Sequence, residues 1–388
     1  MHATEAPSWL NAANLVEPVA TITGGETVAI DTWSCQSLDG GAGEALGVWR
    51  VTGEATVDGV VTSFTVILKG WPAMTGPGNP TDWNWSQREV RAYTSGELEA
   101  LPGGIRAPRC LAEINRPDGS TWTWLSSMSD GALETWELEH FVLVARHLGQ
   151  FNGAYLTGQP MPDTPWLSQQ WTRQWVALSD QAIIEFSELP SHPIVDRVLA
   201  PAVKAEFQRI WDERHAWLDT IEALPQTFCH LDAFKRNIFL RPGPTGNLEP
   251  GLIDWGFTGT AAVGEEITPL VAASLYFGEA RGIQPQVLDV AVFDSYVQGL
   301  REAGWNGDET LVRTAYVGSA ILRYGVGVMR FLPALLDEAA HPMLEHIFRL
   351  PLDDLAQLHG GLNLWLVDLA DEFRHLQAAL PPPLPDAA

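Results

Sequence analysis

Only three lysines occur in these 388 residues, at positions 69, 204 and 235, and all told 23 basic residues face 48 acidic ones for a formal charge of −25. That balance argues against a nucleic-acid partner, because a polyanion needs clustered lysine and arginine. Cysteine is equally sparse. Cys35, Cys110 and Cys229 are odd in number and far apart, which argues against a disulfide framework and fits reduced thiols. No apolar run approaches the roughly 18 residues of a membrane-spanning helix. The opening Met1-His2-Ala3-Thr4-Glu5-Ala6 lacks the basic and apolar regions of a signal peptide. Cytoplasm is therefore the expected compartment, with no membrane partner.

What is present is a core-forming chain, 46% apolar and long enough for two lobes. Its 17 tryptophans include Trp83-Asn84-Trp85 and Trp122-Thr123-Trp124. Such clusters could stack sugars, but filling a core is the favoured role for each.

The informative stretch is His230-Leu231-Asp232-Ala233-Phe234-Lys235-Arg236-Asn237, followed by Asp254-Trp255-Gly256. Phosphoryl transfer asks little covalent chemistry of a protein; it needs an aligned acceptor hydroxyl and cations bridging the phosphates. Asp232 is placed to take the acceptor's proton, and Asn237, five residues on, lies across the same loop with an amide oxygen for a metal. Ile238-Phe239-Leu240 reads as a strand, residues 242–247 as a turn and Gly251-Leu252-Ile253 as the return strand, a hairpin that carries Asp254 back beside Asn237. Amide and carboxylate oxygens together suit magnesium. Two other interpretations exist: a capped loop with no chemistry, and a mononuclear metal site on Cys229, His230 and Asp232. Adjacent residues cannot readily all point at one ion, so the phosphoryl-transfer pattern is preferred.

His230, Asp232 and Asn237, then Ile253-Asp254-Trp255-Gly256, resemble the catalytic loop and metal-binding segment of the aminoglycoside phosphotransferase and choline kinase superfamily. Leu231 and Trp255 depart from the arginine and phenylalanine usual in protein kinases and favour the small-molecule branch. The resemblance covers roughly residues 25 to 280 and is specific at 230 to 256. It implies an α+β, two-lobed protein-kinase-like fold: an N-terminal antiparallel sheet lobe with one helix, and a larger, mainly helical C-terminal lobe. It implies ATP and Mg2+ as cofactors and a small hydroxylated acceptor.

The resemblance also assigns upstream residues. Lys69, ending the alternating run 62–68, would hold phosphates. Ser86 to Tyr93 reads as a helix with Ser86 as candidate N-cap, so Glu89 is either a capping-box residue or the glutamate that pairs Lys69; the pairing is favoured, with Glu97 the weaker choice. Gly40, Gly41 and Gly43, between strand-like stretches 27–33 and 45–52, would admit phosphate to the backbone, although the second half of the usual glycine pattern is missing. A second hairpin spans 108–125, and 126–131 would then cross between lobes, with Ser127 and Ser129 as nucleotide contacts where relatives often carry an acidic pair.

Asp232 is thus the expected base, Asn237 and Asp254 the metal ligands, and His230 a support for the loop. Arg236, with Lys235, would either stabilise the transferring phosphoryl group or face solvent. Glu266 would brace the loop or, with Glu265, stabilise the next helix N-terminus. The expected divisions are 1–125, a 126–131 hinge, a 132–380 catalytic and acceptor-binding lobe and a 381–388 tail. Expected helices are 137–155, 202–221, 270–277, 286–303 and 309–331, with 190–201 a proline-punctuated connection. The acidic surface would steer a cationic acceptor such as an aminoglycoside or amino sugar. A kinase of neutral sugars or other metabolites, and a nucleotide-binding scaffold without transferase activity, share most of these motifs.

Overall fold

The computed structural model describes residues 5–38, 45–74, 76, 78–129, 131–180, 192–243 and 246–380. Along the chain run α1 (Val16–Thr23), β1 (Val28–Ser37), β2 (Gly47–Val57), β3 (Val60–Trp71), α2 (Arg88–Thr94), β4 (Cys110–Asn115), β5 (Thr121–Ser126) and α3 (Leu138–Leu156). Next come α4 (Trp171–Ala177), α5 (Pro193–Val198), α6 (Pro201–Glu222), β6 (Gln226–Cys229), β7 (Ile238–Pro242), β8 (Leu248–Leu252) and β9 (Gly259–Ala262). The remainder is helical: α7 (Ser274–Tyr276), α8 (Pro285–Glu302), α9 (Glu309–Ala320), α10 (Leu332–Leu336), α11 (His341–Phe348) and α12 (Leu352–Ala379). The chain divides into two compact units, one of Met1–Leu101, Arg106–Leu133 and Phe239–Gly256, the other of Pro102–Ile105, Glu134–Ile238 and Phe257–Ala388.

The first unit is built on an antiparallel sheet in the order β1-β2-β3-β5-β4. Alternation sorts its side chains. Trp49, Val51, Val66, Leu68 and Trp124 are buried together with Trp122 and with Leu15 and Val19 at α1. The tryptophans of the 122–124 cluster therefore fill a core, as their chemistry favoured. Residues of the opposite parity, Arg50, Ile67 and Lys69 among them, occupy the other face, because directly paired strand residues share a face and it alternates with each step. The β7–β8 hairpin joins this unit through backbone bonds: Arg106 N–H donates to Pro250 O (3.0 Å), Leu252 N–H to Arg106 O (2.7 Å) and Leu133 N–H to Leu240 O (2.9 Å).

In the second unit α3 buries Phe141, Val144, Ala145, Leu148 and Phe151, the stripe its periodicity predicts. It crosses α8 at glycine: a Cβ on Gly299 would lie 2.1 Å from Arg146 O, and one on Gly149 the same distance from Tyr296 O. Gly299→Ala should accordingly cost about 1–3 kcal/mol, the usual range for overpacking a buried contact. Urea unfolding checks this; a midpoint unchanged from the parent would show that the helices separate freely.

Some expectations fail in instructive ways. The helix expected from Ser86 begins at Arg88, its N-cap Gln87 makes no side-chain capping bond, and Glu89 is used elsewhere. The 190–201 connection contains α5, begun by Pro193 at its first turn and by the His192 side chain accepting from Ile194 N–H at 3.4 Å. The helix expected over 309–331 stops at Ala320 and continues as a π-helical turn, Ile321–Gly325, and a 3₁₀ segment, Val326–Phe331. Half of the segment expected as helix over 270–277 is likewise π-helical, within Pro269–Ala273, before the short α7. The 381–388 tail lies outside the described residues.

Candidate active site

In the first unit, Lys69 sits on β3 opposite Val48 and Thr123. Its ammonium donates to both carboxylate oxygens of Glu89, at 2.7 and 2.6 Å, and to Oδ1 of Asp254 at 3.1 Å. Thus a strand, a helix and the end of a hairpin, separated widely in sequence, deliver three charges to one point. Burial works to discharge Lys69, but the carboxylates of Asp254 and Glu89 outweigh it and hold the ammonium protonated. For Glu89, burial prevails over the attraction of Lys69 and, with the nearby Asp254 charge, pushes its carboxyl up to about 7.

Asp254 itself has φ +64°, a left-handed conformation uncommon outside glycine, and its N–H donates to the buried Tyr93 hydroxyl at 3.2 Å. Such a conformation costs on the order of 1–3 kcal/mol and persists where neighbours over-determine it. Another of those neighbours is Arg88. Fully buried, it donates to Gly256 O (3.1 Å), Trp83 O (2.9 Å), Pro80 O (2.7 Å) and Asp82 O, tying α2 to the segment after Asp254. Arg88 and Tyr93 have no signature in the sequence beyond their adjacency to Glu89 on one helix.

In the second unit the loop after β6 is fixed from both sides. Glu266 accepts the His230 N–H at 2.7 Å, and Arg323, in the π-helical turn, donates to Leu231 O at 2.8 Å. Leu231 has φ +66°, again a strained conformation for a branched side chain. His230 is buried, and its Nδ1 accepts the Asp232 N–H at 3.1 Å, which puts the ring proton on Nε2 in the neutral tautomer. Asn237 donates through Nδ2 to Asp232 O (3.0 Å) and Asp232 Oδ2 (2.8 Å), closing the loop on itself. The bracing expected of Glu266 and the supporting place of His230 are both seen. Glu265 turns instead to Thr172 Oγ1 at 2.5 Å and the Ala262 N–H at 2.9 Å.

Arg236 does not simply face solvent. Its Nε donates to Glu279 Oε1 at 2.7 Å, Nη1 donates to Ile347 O at 3.0 Å, and the guanidinium lies 4.7 Å from the Phe277 ring centre. Lys235 approaches the same Glu279 at 3.5 Å. Ser127 and Ser129 lie in the first unit with their hydroxyls 3.3 Å apart. Gly40, Gly41 and Gly43 fall outside the described residues.

The donor chemistry suits a hard cation. In the second unit the Asn237 amide nitrogen is committed to Asp232, which leaves Oδ1 as its acceptor, and in the first unit the Asp254 carboxylate supplies oxygens of the same hard type. Few protein oxygens, with waters and phosphates completing the shell, are how magnesium is usually held. Among the described residues no group of three or more His, Cys, Asp or Glu side chains could form a ready-made cage. The alternative site on Cys229, His230 and Asp232 is accordingly not assembled as a ligand group.

The phosphotransferase enzyme family matches residues 95–303, more than half of the chain and a span that contains Asp232, Asn237 and Asp254. A microcompartment-associated aminopropanol kinase superposes with a TM-score of 0.52 at 13% identity, covering 92% of this chain and 98% of that one. An aminoglycoside phosphotransferase from Alicyclobacillus acidocaldarius gives 0.47 at 16% identity, covering 96% and 98%. A spectinomycin phosphotransferase solved with ADP and spectinomycin gives 0.45 at 13%, covering 93% and 100%. No curated protein matches the chain. Among the described residues no helix is long and apolar enough to cross a membrane. The chain belongs to the phosphotransferase enzyme family.

Proposed function

We propose that this enzyme is an ATP- and Mg2+-dependent kinase of a small hydroxylated acceptor, an aminoglycoside, an amino sugar or a related compound, working in the cytoplasm. The observation that carries this reading is the Lys69 ammonium held between Glu89 and Asp254. A buried lysine with two carboxylates is positioned to hold phosphate oxygens while remaining charged. Asp232 takes the proton of the acceptor hydroxyl as that oxygen bonds to the γ-phosphorus, and ADP leaves. Asn237 orients Asp232 through the 2.8 Å bond to Oδ2, and His230 holds the Asp232 backbone. Arg236, fixed by Glu279, contributes positive charge beside the loop. Ser127 and Ser129 with Gly40, Gly41 and Gly43 contact the nucleotide. Asn237 and Asp254 are the residues that would hold magnesium, which when bound offsets charge on the phosphates. An enzyme that keeps a positioned base is poorly explained as an inert scaffold.

A second acceptor class is favoured by one observation. Glu279, the acidic group beside the loop, is already paired with both Lys235 and Arg236, so it offers little attraction to a cation. A neutral sugar or similar metabolite suits that balance better than a polyamine.

The test is nucleotide-dependent ADP release across aminoglycosides, amino sugars, free sugars, macrolides and amino alcohols, with and without EDTA. Turnover stimulated by one class and abolished by chelation is expected. ATP binding with no stimulated turnover by any acceptor would return weight to the scaffold, and turnover indifferent to EDTA would remove magnesium.

A further inference from the structure

We propose that Arg50 is a specificity residue at the purine, through which the enzyme takes GTP as well as ATP. The proposal rests on the reading of the first unit as the nucleotide-binding one. Arg50 on β2 pairs with Ile67 on β3, two residues from Lys69, so both cations stand on one sheet face about 6–7 Å apart along the strand. The direction is settled by the next strand. From Lys69 to Ile67 the partners on β5 run from Thr123 to Leu125, and Ser126 follows, opposite Val66. Moving from the phosphate-holding lysine past Arg50 therefore leads toward Ser127 and Ser129, the proposed nucleotide contacts away from the phosphate end, where the base would lie.

Among the described residues Arg50 is set there without a counter-charge. Its Nη2 donates to Ser129 Oγ at 2.5 Å, and Ser129 is in turn 3.3 Å from Ser127 Oγ. Its Nε is buried and lacks any hydrogen-bond partner. Among the described residues no carboxylate pairs with it, whereas Arg106, Arg146, Arg173, Arg236, Arg313 and Arg374 each hold at least one. In a chain with more than twice as many acidic as basic residues, a partly buried guanidinium bonded, among the described residues, only to a serine is a donor awaiting an acceptor.

The chemistry of that acceptor follows from the fork. Guanidinium has five donors and no acceptor, so it complements a base edge carrying two acceptors side by side. Guanine presents N7 and O6 in that arrangement; adenine presents N7 beside the N6 amino group, a donor that opposes one prong. Adenine is tolerated because one acceptor remains, and guanine gains the second bond.

Calorimetric titration of the full chain with MgATP and MgGTP, without acceptor, tests this. Wild type should bind both nucleotides within about fivefold. Arg50→Met should weaken MgGTP at least tenfold and MgATP less than threefold, from the loss of one bidentate contact. Arg50→Lys, which keeps the charge but not the fork, should lose GTP in the same way, and it serves if the methionine variant unfolds. Wild type binding ATP but not GTP, or equal losses for both nucleotides, would overturn the role of Arg50 and leave the kinase reading standing. Binding of neither nucleotide to wild type would overturn both.

Discussion

Asp232→Asn should lower turnover about 10³-fold, within the usual range for loss of a positioned base, while leaving nucleotide affinity nearly unchanged. The substitution keeps the shape of the loop. An asparagine oxygen can still accept from Asn237 Nδ2, the contact made at 2.8 Å, and the backbone N–H still reaches His230 Nδ1. What it removes is the ability to take a proton. The effect should therefore appear in kcat and in kcat/KM for the acceptor to the same extent, the mark of an interaction needed only in the transition state. Single-turnover rates with the acceptor found active, beside nucleotide affinity by titration, separate the two. A loss confined to nucleotide affinity would move Asp232 from base to structural post.

Lys69→Met should be the most destabilising single change at the site, by about 3–5 kcal/mol, because it removes one partner of a buried pair and leaves the other uncompensated. Glu89 is 7% exposed at its side chain and cannot turn to water for relief. Adding Glu89→Gln to Lys69→Met should restore part of the stability, since the double variant no longer buries an unpaired charge. Nucleotide binding, by contrast, should stay lost in both. Urea unfolding together with nucleotide titration distinguishes a structural lysine, which the double variant would rescue in both respects, from one that touches phosphate.

The same pair has a pH signature. Burial raises the Glu89 carboxyl from its ordinary 4.5 to about 7, so the folded state binds a proton more tightly than the unfolded chain. The Glu89 contribution to stability is then fully present below about 4.5 and is lost as pH rises toward 7. Phosphate holding runs the other way, because protonated Glu89 orients Lys69 less firmly. Between those limits wild type, relative to Glu89→Gln, should lose stability with rising pH while nucleotide affinity improves. Parallel trends in the two would detach Glu89 from Lys69.

Much of the site was legible because its chemistry is written locally. Strand alternation put Lys69 on β3, two residues before its end at Trp71, and the 232/237 spacing describes a loop whose amide bonds its own carboxylate. What escaped depends on contacts between distant segments. α12, 28 residues long, went unrecognised because Gly360-Gly361 interrupts its pattern; a Cβ at Gly360 would lie 2.4 Å from Arg197 O on α5, so close packing selects the glycine that propensity counts against. Arg88 is invisible for a similar reason: its partners are backbone carbonyls, which every residue has. The π-helical turn that carries Arg323 to Leu231 is a departure from regular helix that apolar periodicity cannot report.

The membership of residues 239–256 in the first unit bears on how the protein is made. A ribosome releases residues 1–133 long before the strands that bond Arg106 and Leu133, and before the carboxylate that meets Lys69. Until residue 256 has emerged, Arg106 lacks its hairpin partners, Arg88 lacks the Gly256 carbonyl and Lys69 has only half of its counter-charge. Domains generally fold as units during synthesis, and contacts of such long sequence separation are slow to close. The nascent first unit thus waits, with an unfinished centre, while residues 134–238 of the second are translated. Maturation of the site is a late event, and a fragment ending at residue 133 would be a sheet without its final closing segment.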